Sequence, residues 1–186
     1  MDEVRILGIC GSLRKGSFNR RLLQVAREEL PEGARLELAD ISGIPIYDGD
    51  VESAGLPAPV QTLKRQIRAA DALLIATPEY NYSVPGVLKN ALDWCSRPAQ
   101  DNPFRDKPLA IMGASQGLLG TARAQYHLRQ IAVSLDMLAL NRPEVMVGLA
   151  ESKFDAEGRL TDTKSRELVH KLMVALVVWT RRLHIP

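Results

Sequence analysis

A chain of 186 residues is long enough for one sizeable hydrophobic core and short for two domains. Its hydrophobic share of 46% and charged share of 25% are those of a folded globular body and exclude a disordered segment. With 24 Lys and Arg against 22 Asp and Glu, the formal charge of +2 is too even for the basic stripe of a nucleic-acid surface.

Residues 4–10 (VRILGIC) read as a first strand, and residues 18–30 as a helix with Leu22, Leu23, Ala26 and Leu30 on one face. Residues 35–39 alternate and suit a second strand. An irregular stretch rich in Gly, Pro and Asp follows over 40–59. Val60, Leu63, Ile67 and Ala70 then form the stripe of an amphipathic helix. The continuous apolar run 72–77 predicts a strand covered on both faces, followed by a loop over 78–83. A helix is expected over 84–96, with Pro85 in its first turn, where a missing N–H costs nothing. A fourth strand at 109–114, a helix at 119–135, a fifth strand at 144–148 and a helix at 163–183 complete the chain. In the last helix Leu168, Leu172, Ala175 and Trp179 are expected to face inward.

Strands alternating with helices predict one α/β domain over 1–186, a doubly wound, five-stranded parallel sheet with helices on both faces. No repeat or linker interrupts it. Asp2 and Glu3 before a short apolar run are unlike a secretory leader. The longest apolar stretch, 172–179, is much shorter than the ~20 residues that cross a bilayer. A cytoplasmic protein without membrane contact is expected. Cys10 and Cys95 lie in apolar surroundings; one disulfide stays open, but two buried thiols are the simpler reading. His127, His170 and His184 are scattered, without the spacing of a metal site. Trp94 and Trp179 read as packing residues.

Ligands of such sheets bind beyond the carboxyl ends of the strands, so the loops after strands one, three and four carry the expectation of function. The first reads GSLRKGSFN. Unpaired N–H groups and the dipole at a helix start favour an anion, to which Ser12, Ser17 and Asn19 add neutral donors and Arg14 a charged fork. Gly11 and Gly16 have P-loop spacing, but Ser17 stands where the lysine belongs, and no GxGxxG is present. A terminal phosphomonoester fits better. The alternative is a plain strand-to-helix turn capped by Ser17. The second loop, PEYNYSVPG, offers Pro78, Glu79, Tyr80, Asn81 and Ser83 as a frame for a planar ring; prolines that merely shape a turn are the alternative. Glu79 lacks a His or second carboxylate beside it, so a structural or ring-positioning role is expected. After strand four, Ser115, Gln116 and Gly117 permit close approach to a flat ligand.

On GSLRKGSFN and PEYNYSVPG together the sequence resembles the NADPH-dependent FMN reductase family, nearest to its bacterial chromate and quinone reductase branch; the segment 122–130 is similar too. The resemblance covers nearly the whole chain, though 43–59 is not diagnostic. It implies a flavodoxin-like sheet of order 2-1-3-4-5. It also implies FMN as cofactor without a metal, and NADPH or NADH as co-substrate. Ser12, Arg14, Ser17 and Asn19 would hold the phosphate, Pro78, Glu79, Tyr80, Asn81 and Ser83 the ring, and Ser115, Gln116 and Gly117 its far side. No side chain would be catalytic, since the flavin carries the chemistry. Quinones, chromate, azo compounds or free flavin are implied acceptors, served in ping-pong fashion. A homodimer or homotetramer is implied, and for it Arg123, Tyr126, Arg129, Gln130, Tyr82 and Glu144 are candidate contacts. A flavodoxin-like electron carrier without NAD(P)H activity is the alternative, but such carriers are typically strongly acidic and this chain is +2. A scaffold that kept the fold without catalysis is a third reading.

Overall fold

The structure is a computed structural model that describes residues 3–183, so His184 lies outside the described residues. Strand β1 (Val4–Cys10), β3 (Ala72–Ala76) and β4 (Pro108–Ala114) are buried at almost every position, because helices cover both faces of the sheet there. Edge strand β2 (Ala34–Ala39) buries only Leu36. All pairings are parallel, and the order is β2-β1-β3-β4-β5.

The fifth position differs from the expected single strand. It holds two pieces, β5 (Leu138–Ala139) and β6 (Val145–Val147), both paired with β4. Pro108 pairs with Leu138 at one end of β4 and Ala114 with Val147 at the other. Pro143 lies between the pieces and has no N–H to give a ladder. A two-residue strand is too short to leave an alternation in the sequence.

The helices are α1 (Phe18–Glu28), α2 (Gly49–Ala54), α3 (Ala58–Ala69), α4 (Gly86–Cys95), α5 (Ala122–Ser134) and α6 (Thr163–Leu183). Leu22, Leu23 and Ala26 of α1 join Val169, Leu172, Met173 and Leu176 of α6 on one face of the sheet. Val60, Leu63 and Ile67 of α3, Leu88 and Leu92 of α4 and Leu128 of α5 fill the other. Helix α2, inside the expected irregular stretch, buries no residue; Asp48 caps it by accepting from the Asp50 N–H at 2.8 Å. Helix α5 starts later than expected, after Gly120 at φ 63, which leaves Leu119 exposed. Pro85 stands at the N-cap of α4, one place ahead of its expected position inside the first turn. In α6 the buried set is Ser165, Val169, Leu172, Met173, Leu176, Val177 and Thr180. Leu168 is 38% exposed, against expectation. The apolar run 172–179 supports more than one phase of the stripe, and packing on β4 and β6 selects this one.

Register brings the strand ends level. Cys10 pairs with Ala76, Ala76 with Met112, and Ala114 with Val147. The loops after β1, β3 and β4 therefore meet at one end of the sheet.

Candidate functional site

The loop leaving β1 is pinned to β3 by the Gly11 N–H, which donates to the Ala76 carbonyl at 2.8 Å. A Cβ at Gly11 would lie 3.1 Å from Pro78 Cδ, so the first two loops touch where a larger residue would crowd them. Ser12 Oγ accepts from the Arg14 N–H at 3.3 Å, which turns the chain back toward α1. Ser17 is the N-cap of α1, and its hydroxyl accepts from the Arg20 N–H at 3.4 Å. The simple capping role is therefore present. It leaves the N–H groups of Phe18 and Asn19, in the first turn, without intrahelical acceptors. Beneath the loop Cys10 donates from Sγ to the Ser12 carbonyl at 3.4 Å, and burial pushes its thiol pKa up.

Asn19 is 2% exposed, and its amide grips the end of β4. Nδ2 donates to the Ala114 carbonyl and Oδ1 accepts from the Ala114 N–H, each at 2.9 Å. This pair locks the start of α1 to the mouth of the third loop.

The loop after β3 makes a tight turn. Tyr80 and Ser83 exchange two backbone hydrogen bonds of 3.0 Å, and Asn81 and Tyr82 between them sit at φ 47 and φ 68. Two central residues at positive φ are the pattern of a type I′ turn. Ser83 Oγ bonds His127 Nδ1 at 2.9 Å and so ties the turn to α5. Glu79, with its side chain only 6% exposed, is tied there too. Oε2 accepts from the backbone N–H groups of Arg123 and Ala124, at 3.0 and 3.1 Å. Oε1 accepts from Arg123 Nε at 2.5 Å. Thr121, at the N-cap of α5, makes no side-chain cap, so Glu79 supplies one from another loop.

The loop after β4 closes the third side. The Ser115 N–H donates to the Val147 carbonyl at 3.0 Å, Ser115 Oγ donates to the Gly120 carbonyl, and Gln116 Nε2 donates to Glu151. The Gly117 carbonyl accepts from the Leu149 N–H at 3.1 Å.

A cleft of about 280 Å³ opens between the three loops. Of the residues singled out from the sequence, Ser12, Arg14, Ser17, Asn19, Pro78, Glu79, Tyr80, Ser115 and Gln116 line it. Asn81, Ser83 and Gly117 do not; they shape the turns behind it. Phe18 and Ala114 also line the cleft and were not singled out. Phe18 reads in sequence as the first apolar residue of a helix, yet its ring lies 5.3 Å from that of Phe154 at the cleft edge. Nothing in the sequence marks Ala114, whose backbone role depends on Asn19 far away along the chain.

The donor set suits FMN. A guanidinium and the first turn of a helix are the kinds of donor that a terminal phosphate takes. Pro78 and Tyr80 give an apolar wall for a ring, and the one carboxylate in the lining is already paired. Among the described residues no group of three or more His, Cys, Asp or Glu is arranged to hold a metal ion.

The model of the NADPH-dependent FMN reductase family matches residues 4–152. The chain belongs to this family. It is 59% identical over 182 residues to the NAD(P)H-dependent FMN reductase of Pseudomonas aeruginosa, covering 98% of both chains. It is 47% identical over 158 residues to the quinone reductase of Escherichia coli, covering 84% of each. Among solved structures it superposes on the flavoenzyme NAD(P)H:(acceptor) oxidoreductase FerB of Paracoccus denitrificans with a TM-score of 0.88. That match has 34% identity and covers 96% of this chain and 98% of the other. As a member of the family the chain is a flavin-dependent oxidoreductase whose cofactor is FMN and whose electron donor is NAD(P)H. No described helix is long and apolar enough to cross a membrane.

Proposed function

We propose that the chain reduces quinones at the expense of NAD(P)H, with donor and acceptor using the cleft in turn. The observation that carries this reading is the convergence of a helix N-terminus, Arg14 and the Pro78–Tyr80 wall in one cleft, beside a buried carboxylate that is fully engaged. FMN, when bound, supplies the ring that accepts a hydride and passes it on. Arg14, Ser12 and the first-turn N–H groups of α1 hold its phosphate. Ser17 shares its hydroxyl between the Arg20 N–H and the ligand, while Asn19 keeps the β4 loop in place. Pro78 and Tyr80 flank the ring, Asn81 and Ser83 hold the turn that aims them, and Ser115 and Gln116 close the far side over Gly117. Chromate and azo compounds are further acceptors that the family resemblance implies, and a homodimer or homotetramer would cover the rim of the cleft.

One cleft serving both substrates requires the nicotinamide product to leave before the acceptor enters. The test is steady-state kinetics of the yellow, FMN-loaded protein with NADPH or NADH and benzoquinone. Parallel double-reciprocal lines are expected. Intersecting lines would demand a ternary complex, and a yellow protein that oxidises neither nicotinamide would be an electron carrier.

A further inference from the structure

We propose that Arg123 sets the electron affinity of the cleft by neutralising Glu79, the one carboxylate among its described lining residues; this rests on the cleft being the FMN site. A carboxylate with so little exposure keeps its field, since water and salt screen it poorly. Unopposed, it would oppose any gain of negative charge beside it.

The arrangement opposes that charge from two directions. Arg123 Nε and Nη2 both meet Glu79 Oε1 at 2.5 Å. The N–H groups of Arg123 and Ala124, at the positive end of the α5 dipole, meet Oε2. The guanidinium is held in place from its other side as well. Its carbon lies 3.6 Å from the centroid of the Tyr82 ring, a cation–π contact with a residue whose φ of 68 belongs to the tight turn. Arg123 is therefore fixed between a buried carboxylate and an exposed ring.

These contacts divide the work. Capping of α5 belongs to Oε2 and the two backbone N–H groups, and survives loss of the Arg123 side chain. Charge balance belongs to the guanidinium. Without it the cleft wall is one unit more negative. Reduction adds electrons to the bound ring, so the reduced form feels that unit more than the oxidised form does.

The two single charge removals must then act in opposite directions. In an anaerobic spectroelectrochemical titration of the FMN-loaded full chain, Arg123→Gln is expected to shift the midpoint potential negatively by at least ~30 mV. For a two-electron couple that is a tenfold loss of preference for reduced over oxidised FMN. Glu79→Gln is expected to shift it positively, and the double variant to return near the parent. Arg123→Lys, which keeps the charge, is expected to stay close to the parent. A merely structural role would lower thermal stability in both single variants and leave the potentials alike. An Arg123→Gln protein that holds FMN at the parent's potential overturns the proposal. Should Arg123→Gln fail to fold, an unshifted or negatively shifted Glu79→Gln overturns it equally. A parent that does not bind FMN would overturn the site itself, which a colourless preparation distinguishes at once.

Discussion

Among the described residues Arg14 is the cation of the cleft lining and has no ion pair, whereas the other charged lining residue, Glu79, is bound up within the chain. Arg14→Ala should weaken FMN binding by about 1.5–3 kcal/mol, the scale of a charge-assisted hydrogen bond. Quenching of free-FMN fluorescence measures it, and unchanged affinity would show that the helix N-terminus suffices. The two thiols behave oppositely to a redox pair. Both are free and buried, on different faces of the sheet. Burial pushes the Cys95 thiol up to about 12, and Cys10 moves the same way. An acid whose folded pKa is raised stabilises the fold below its unfolded pKa, near 8.5, and loses that contribution as pH climbs through the folded value. Urea midpoints of the native protein should thus fall from about pH 8.5 upward, with a flatter decline in Cys95→Ala. A thiol reagent at pH 8 should label neither cysteine until the chain unfolds. At this scale the sequence is legible where a residue's chemistry acts locally, as for the Ser17 cap of α1. It is opaque where the partner is remote. The grip of Asn19 on Ala114 and of Glu79 on α5 each span a crossover that periodicity does not encode.

Between elements, packing is tight where β4 passes the N-cap of α5 and the end of β3. A Cβ at Gly113 would fall 2.0 Å from Thr121 Oγ1 and 2.4 Å from the Thr77 carbonyl oxygen. The latter atom is backbone at the end of β3 and cannot rotate away. Gly113→Ala should therefore cost at least the 1–3 kcal/mol typical of overpacking, and the shift should open the cleft between Pro78 and Ser115. A fall in melting temperature together with weaker FMN binding is the expected outcome. A variant of native stability would mean that β3 and β4 separate at little cost. The same elements explain which boundaries could be read. Central strands covered on both faces show as unbroken apolar runs, and the runs 72–77 and 109–114 match the observed strands to within a residue. The split fifth position and α2 carry too few residues for a period to emerge, and the sequence suggests an early start for α5 because Leu118 and Leu119 extend its apolar run while standing exposed at 76% and 56%.

At the scale of the whole molecule, exposed apolar side chains stand around the three loops. Tyr80, Tyr82, Leu118, Leu119, Tyr126 and Leu149 are all more than about half exposed, or nearly so, and they lie in or beside the three loops and at the start of α5. Clustered apolar exposure on a folded chain marks an interaction surface, and Tyr is among the types that favour one. A second copy of the chain is the occupant expected from the family resemblance. Arg123, a candidate contact across subunits from the sequence, is largely occupied within the chain by Glu79 and Tyr82. Arg129 is likewise engaged, donating to the Leu140 carbonyl at 3.0 Å. That leaves Tyr126, 58% exposed, as the stronger candidate. Light scattering at micromolar concentration should give a mass of two or four chains. Tyr126→Ala should weaken assembly directly, and Arg123→Ala only by freeing the Tyr82 ring. Both should change acceptor kinetics, because Arg123 holds the lining residue Glu79 and Tyr126 stands on the same helix. A monomeric parent would refute the assembly, whereas an intact oligomer in both variants would move its cause to the leucines of the rim.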